Sequence, residues 1–392
     1  MSRHWIHQLK GERGMAMIEE GRRRFTRWLS VSVKGVTSLA LAGTGLALLA
    51  QTQPVSAAAP GGVERAQAAV LAAEATPTKI LQRVPLKTRP PRGKTIVFIQ
   101  DEIPQSGVIG AGEQAAAKAA GWKFKELNYL SSNPTTLITA MKQALQYKPF
   151  AVSFAGEVES TWASMVPIYK AAHVYIIPCV IGPQKTNGVV AANIGHFETS
   201  GVGLGNWFIA ASNGRGHALL VDLPVFPVLT EVITGIKHAI AANCSACVTT
   251  AYNGTLADVG DGQFVPNIVT ALKKDPTIKY VLSSDLFFIS SLTSALASAG
   301  MTGITIAGAQ PEASDFAAIS AGTEAATVVN SNTVIGWIAA DAMFRLSEHM
   351  HVSPNDGGNP YQLIVQTNTN MGVKDEPANY AAQFKILWKL RK

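Results

Sequence analysis

Three cysteines in 392 residues leave no material for a zinc centre: Cys244 and Cys247 would need two further ligands, and none is suitably spaced. The eight histidines are scattered, and His349 and His351, two positions apart, do not share a helix face on which to hold a metal. There is no G-x-x-x-x-G-K phosphate loop. Ala210-Ala211-Ser212-Asn213-Gly214 is only a loose echo of G-x-S-x-G and closes a helical stretch, where a nucleophile would need a strand-to-helix elbow. With no nucleophile in reach of a base, no metal and no cofactor, an enzyme is not expected. Basic charge is also lacking where a nucleic acid would need it. The net charge of +7 is concentrated in residues 1–57, which hold eight Lys/Arg and three Asp/Glu, leaving 25 basic against 23 acidic residues in the remainder. The body offers no stripe for phosphates, so nucleic acid is excluded as a partner.

The basic N-terminal segment has the three parts of an export signal. Arg22-Arg23-Arg24-Phe25-Thr26-Arg27 is a basic region, Val36 to Ala50 is mildly apolar, and Val55-Ser56-Ala57 is a small-residue cleavage site. The mature chain is expected to start near Ala58. Paired arginines before Phe25, followed by a Gly-containing apolar run, resemble a twin-arginine signal; an ordinary secretory signal with a basic start is the other reading. The run falls short of the roughly 20 residues a spanning helix needs. Either route predicts an exported protein of the periplasm or cell surface. A Cys244–Cys247 disulfide suits an oxidising compartment, while Cys179, in an apolar run, reads as a buried small hydrophobe.

With 47% hydrophobic residues the chain can bury two ordinary cores. Residues 58–93, rich in Ala, Pro and basic residues, read as a flexible, exposed lead-in. From Lys94 onward, strand-like runs such as Thr95-Ile96-Val97-Phe98-Ile99 and Ala151-Val152-Ser153-Phe154 alternate with helix-periodic stretches such as Gly110–Ala120, Pro134–Gln146 and Thr161–Ala172. Val174–Val180 and Val189–Ile194 complete a first set of strands. The rhythm restarts after Gly195, with helices at Glu198–Ala211 and Pro227–Ala242 and strands such as Ala218–Val221 and Tyr280-Val281-Leu282. Such β-α-β alternation predicts an α/β protein with two similar, doubly wound parallel-sheet lobes.

Gly110-Ala111-Gly112-Glu113-Gln114-Ala115 matches G-x-G-x-x-A at a helix. In a dinucleotide site the glycines follow the strand at once, whereas here Gln100 to Ile109 intervene, so a nucleotide cofactor is disfavoured.

An ordered set of segments in the second half carries a resemblance. It runs from Ser283-Ser284-Asp285 through Ala295-Leu296-Ala297-Ser298-Ala299-Gly300 and Ile306-Ala307-Gly308-Ala309-Gln310-Pro311. It continues with Phe316-Ala317-Ala318-Ile319, Gly322 and Gly336-Trp337-Ile338-Ala339-Ala340-Asp341, and closes on Ala381 to Trp388. Together these resemble the type I periplasmic substrate-binding proteins, the ribose-binding-like branch that feeds bacterial ABC importers. The resemblance implies a three-crossing hinge near Asn193–Gly195, Gly308–Gln310 and Val365–Thr367. It divides the chain into an N-terminal lobe (94–194 plus 309–365) and a C-terminal lobe (195–308 plus 366–392). It also implies a small-molecule ligand held between the lobes of a monomer and delivered to an importer permease. A sensor that reports its closed form to a membrane receptor is the alternative role.

Sugar-binding members carry an Asp-Arg pair after the strand that here ends at Cys179-Val180-Ile181, and aromatic rings after the first strand, where this chain has Asp101-Glu102-Ile103-Pro104. Loss of those donors predicts a ligand that is either a sugar held by other contacts or a less polar molecule, since hydroxyls need dense hydrogen bonding to offset desolvation. Ligands of parallel sheets lie beyond the strand carboxyl ends. The candidates there are Glu102, Gln105, Glu157 and Trp162 from the first lobe, with Asp101 and Glu159 beside them. The second lobe adds Asp222, Phe226, Asp285 and Phe287, with Phe288 beside them, and Gln310 sits at a crossing. Glu157 and Glu159 read equally well as complements to a helix dipole. Trp207 and Trp337 lie on apolar helix faces and read as core.

Overall fold

The computed structural model describes residues 61–133, 135–181, 194–352, 357–369 and 375–390. The expected export signal, residues 1–57, and the strand expected at Val189, apart from Ile194, lie outside these.

Short apolar runs become strands buried on both faces: Ile96, Val97, Phe98 and Ile99 of β1 (Thr95–Gln100) are all fully buried, as is β3 (Ala151–Ala155). With β2 (Lys123–Asn128), β4 (Tyr175–Cys179), β5 (Ile194–His196) and β11 (Gly357–Gly358) they make a sheet of order β11-β5-β4-β3-β1-β2. The second sheet repeats this arrangement as β12-β10-β9-β8-β6-β7. Its strands are β6 (His217–Asp222), β7 (Val248–Asn253), β8 (Tyr280–Ser283), β9 (Thr305–Ala309), β10 (Ala326–Asn330) and β12 (Tyr361–Val365). Strand pairing is parallel except between β10 and β12. Exposed Lys123, Lys125 and Glu126 protect the edge strand β2 from pairing with another chain.

Each lobe is braced by a close helix pair made possible by glycine. In the first, α2 (Pro104–Ala120) lies on α12 (Asn332–Ser347), and a Cβ on Gly112 would stand 2.2 Å from the Thr333 carbonyl oxygen. Thus Gly112 serves helix packing, while Gly110 lies against the Phe98 ring of β1. The helix starts at Pro104, so they lie in its second and third turns, away from the N-terminal amides a phosphate would need. In the second lobe, α6 (Glu198–Ala211) meets α7 (Pro227–Asn243), and a Cβ on Gly235 would fall 2.0 Å from the Glu198 carbonyl oxygen. Gly235→Ala should therefore force the helices apart and cost about 1–3 kcal/mol, read as a lower urea midpoint with an unchanged slope.

The helix expected over Thr161–Ala172 is broken into α4 (Glu159–Trp162), a 3-10 turn at Ala163–Met165, and α5 (Val166–Ala171). Pro167 at the start of α5 has no N–H to continue the ladder.

Three sequence expectations about lobes and termini are corrected. The lead-in is not structureless: α1 (Gly62–Glu74) packs on α6, α7 and β12, with Arg65 Nε donating to Asn243 Oδ1 at 3.0 Å. Its Ala-rich composition resembled a linker because a single buried residue, Ala66, anchors the helix. Second, β10 and β12, expected in the N-terminal lobe, belong to the second sheet. Third, α13 (Tyr380–Leu387), expected with the C-terminal lobe, packs on α12 of the first. The chain therefore changes lobes at His196–Glu198, Asn330–Asn332 and Gly358–Tyr361, and at neither Gly308–Gln310 nor Val365–Thr367. Two flanking passes add to these. One leads from α1 on the second lobe to Leu86, whose N–H bonds Leu387 of the first; the other leads from β12 to α13.

Cys179 is free and buried, and Cys244 is disulfide-bonded to Cys247 in the turn between α7 and β7. Trp207 and Trp337 are core residues, 7% and 3% exposed. No helix among the described residues is long and apolar enough to cross a membrane.

Candidate functional site

The loops after β1, β3 and β4 in one lobe and after β6, β8 and β9 in the other enclose a cavity of about 350 Å³. Strand carboxyl ends are where a doubly wound sheet leaves its crevice, because helices cover both faces. Of the candidates read from the sequence, the structure gathers Glu102, Gln105, Phe226, Asp285, Phe287 and Gln310 on this wall, with Asp101 and Phe288 beside them.

Three candidates lie elsewhere. Trp162 is fully buried, edge-on to Phe154 at 5.5 Å, with its indole N–H donating to the Glu157 carbonyl at 3.0 Å; it is a core side chain. Asp222 accepts the Leu223 N–H at 2.8 Å and the Thr230 hydroxyl at 2.9 Å, which ties the end of β6 to α7. Glu157 is off the cavity wall, half-buried, with the Tyr129 hydroxyl at 3.5 Å. Position after a strand does not say which way a side chain turns, and these three turn into the lobe. The sequence reading also missed Val180, Phe197 and Asn332 on the wall. Asn332 stands at a crossing that the sequence placed some twenty residues earlier, and apolar Val180 and Phe197 carry no distinguishing signal.

Two wall residues are held in the left-handed region that β-branched and long side chains avoid: Val180 at φ 57° and Gln310 at φ 52°. Each directly follows a strand, β4 and β9. Such strain, of order 1–3 kcal/mol, persists where surrounding structure over-determines it, typically at ligand clamps. Gln310 is only 9% exposed, yet its Nε2 has no hydrogen-bond partner. Gln105 Nε2 donates to Glu312 Oε1 at 3.1 Å, a bond that joins the two lobes, and this fixes the amide so that Oε1, buried and unpartnered, is an acceptor. An orphaned donor and an orphaned acceptor in one cavity are what a ligand site requires before the ligand arrives. Gln310→Gly, which removes both strain and orphan, should stabilise the unliganded protein by about 1 kcal/mol in urea melts while weakening ligand binding.

Carboxylates dominate the electrostatics. Burial pushes Asp101 up to about 6, against hydrogen bonds from the Ile103 N–H and the Tyr129 hydroxyl. Burial pushes Asp285 to about 8, with Glu312 and Asp315 adding to the shift and the Phe287 N–H opposing it. Glu102 is turned toward Ser131, accepting from its N–H at 2.9 Å and its hydroxyl at 2.8 Å. Among the described lining residues there is no Lys, Arg or His. Phe226 and Phe288 stack at 6.3 Å, and Phe287 stands edge-on to Phe288 at 5.3 Å. Among the described residues no group of His, Cys, Asp and Glu could hold a metal.

Residues 96–349 match the family model described as a periplasmic binding protein domain. Crystal structures share the fold. The glucose-galactose binding protein GanP of Geobacillus stearothermophilus is 15% identical with a TM-score of 0.59, over 71% of this chain and 99% of that one. An ABC transporter solute-binding protein of Agrobacterium vitis bound to α-D-tagatopyranose is 15% identical with a TM-score of 0.61, over 74% and 98%. A twin-arginine translocation pathway signal protein of Burkholderia phytofirmans is 15% identical with a TM-score of 0.56, over 71% and 91%. No curated protein sequence matches the chain.

Proposed function

Because the chain belongs to the family of periplasmic binding protein domains, we propose that it is an exported solute-binding protein that captures a small molecule between its lobes and delivers it to an ABC-type importer. The observation that carries this reading is the inter-lobe cavity with its two unpaired amide atoms, Gln105 Oε1 and Gln310 Nε2. Capture closes the lobes because the ligand touches both walls only when they are together, so its binding energy is a difference between open and closed forms. The Gln105–Glu312 bond belongs to that closed arrangement. The passes at His196–Glu198, Asn330–Asn332 and Gly358–Tyr361 are the places where the backbone bends. Export rests on the basic and apolar N-terminal segment, and the likeness to a twin-arginine pathway protein favours that route. The importer role draws on the likeness to a glucose-galactose binding protein and to an ABC transporter solute-binding protein.

The test is a thermal-shift screen of residues 59–392 against sugars, polyols, amines, aromatic acids and nucleosides, with small-angle scattering of each hit. A ligand raises the melting temperature by mass action and should shrink the radius of gyration. A hit that leaves the scattering dimensions unchanged would remove the closure mechanism.

A further inference from the structure

We propose that the cleft selects an organic cation: a protonated amine carried on an apolar, ring-sized body that also bears a hydrogen-bond acceptor. This rests on the solute-binding reading above and names the class of ligand.

The unengaged polar groups on the wall decide the class. Glu102 and Ser131 satisfy each other. Asp101 is tied to Ile103 and Tyr129, and the Ser106 hydroxyl accepts the Asp101 N–H at 3.3 Å. What remains is Gln105 Oε1, Gln310 Nε2, Asn332, and the oxygen of Asp285 that takes no bond among the described residues, since Oδ1 accepts the Phe287 N–H at 2.9 Å. A pyranose presents hydroxyls around its whole rim and would bury several of them against Ile103, Val180, Leu229 and Phe226 without partners, a large desolvation cost. An ammonium needs fewer and stronger contacts: one carboxylate and one neutral acceptor, which Asp285 and Gln105 Oε1 supply. Gln310 Nε2 then donates to a carbonyl, ether or hydroxyl oxygen of the same molecule.

Charge sign points the same way. Asp101 and Glu102 stand on one lobe and Asp285 on the other, with Glu312 and Asp315 behind Asp285 and no basic residue among the described lining. An anionic ligand meets these carboxyl groups with no lining Lys, Arg or His among the described residues to offset them. A cation relieves the raised carboxyl of Asp285, because an opposite charge restores the ionised form that burial penalises. The faces of Phe226, Phe287 and Phe288 add attraction for positive charge next to an apolar body.

The experiment uses residues 59–392 and matched probes that carry a ring oxygen able to accept from Gln310: tyramine, its neutral isostere tyrosol, its anionic counterpart 4-hydroxyphenylacetate, and D-glucose and D-ribose. Calorimetric titration and thermal shift should show the amine binding at least tenfold more tightly than the neutral alcohol, with no binding of 4-hydroxyphenylacetate. Asp285→Asn keeps the Phe287 N–H acceptor and the side-chain shape, so with circular dichroism unchanged it should erase the preference for amine over alcohol. Equal binding of amine and alcohol, or binding of a sugar without the amine, overturns the charge requirement and leaves the solute-binding reading standing. Absence of binding by all five probes overturns the amine class. A null result in the broader ligand screen would then remove the solute-binding reading as well.

Discussion

Asp341→Ala is expected to cost about 3–5 kcal/mol, the range for breaking one half of a buried ion pair. Asp341 and Arg345 are 3% and 2% exposed, one helical turn apart on α12. Arg345 Nε lies 2.6 Å from Asp341 Oδ2, and Asp341 Oδ1 accepts the Trp388 indole N–H at 2.7 Å. The guanidinium continues to the Val84 carbonyl at 2.6 Å. One carboxylate therefore organises the N-terminal pass, Trp388 just after α13 and the helix α12 that carries it. Alanine leaves a buried cation without its counter-charge and an indole N–H without an acceptor. Thermal melts should show a fall of roughly 10 °C, given 2–4 °C per kcal/mol in larger domains. Hydrogen exchange should quicken first around residues 80–90 and 380–390. The double variant Asp341→Leu/Arg345→Met should be less damaged than Asp341→Ala alone. If the double variant is the weaker protein, the pair is not acting through its charges.

Glu113→Gln is expected to leave stability near its natural value at pH 4.5 and to raise it by about 3–5 kcal/mol at pH 9. Glu113 lies on α2 inside the first lobe, fully buried, with the Ser153 hydroxyl at 2.7 and 2.8 Å from its two oxygens. Burial pushes its carboxyl from 4.5 up to about 8, and the Ser153 bond only partly opposes this. A raised carboxyl contributes stability that is fully present below the unfolded value of 4.5 and is lost as pH rises through 8. Above that, the folded protein either holds a buried charge or unfolds to release it. Glutamine keeps the shape and never ionises. Urea melts of both proteins at pH 4.5, 7 and 9 test this. Asp101, Asp285 and Glu324 are also raised, but they are common to both proteins and cancel in the difference. A difference that stays constant with pH would mean that Glu113 is ionised or solvated throughout.

Much of the fold was legible because burial leaves periodic marks. β1 carries an unbroken apolar run and β3 one interrupted only by Ser153, as strands covered on both faces do, and α6 was placed from Glu198 to Ala211, where it stands. α1 was not legible, since one buried residue makes no stripe. Nor was α2 read to its true start, because Pro104 looks like a turn residue until its role in the first helical position is seen.

Of the site, the polar residues just after strands were readable. Asp285 and Gln310 follow buried strands with few structural demands on them. Trp162, picked for its place at the head of the helix beyond β3, is core, because that short helix presents it to Phe154.

The residues by themselves determined that this is a parallel α/β protein of two repeated lobes, since alternating apolar runs and helical stripes allow little else. They also contain no G-x-x-x-x-G-K phosphate loop. Only the tertiary structure decided which lobe owns β10, β12 and α13, because pairing between distant strands and packing between distant helices leave no local trace. It likewise decided that the orphaned atoms of Gln105 and Gln310 line one cavity with Asp285. These positions are far apart along the chain, and only the facing of the two sheets brings them together.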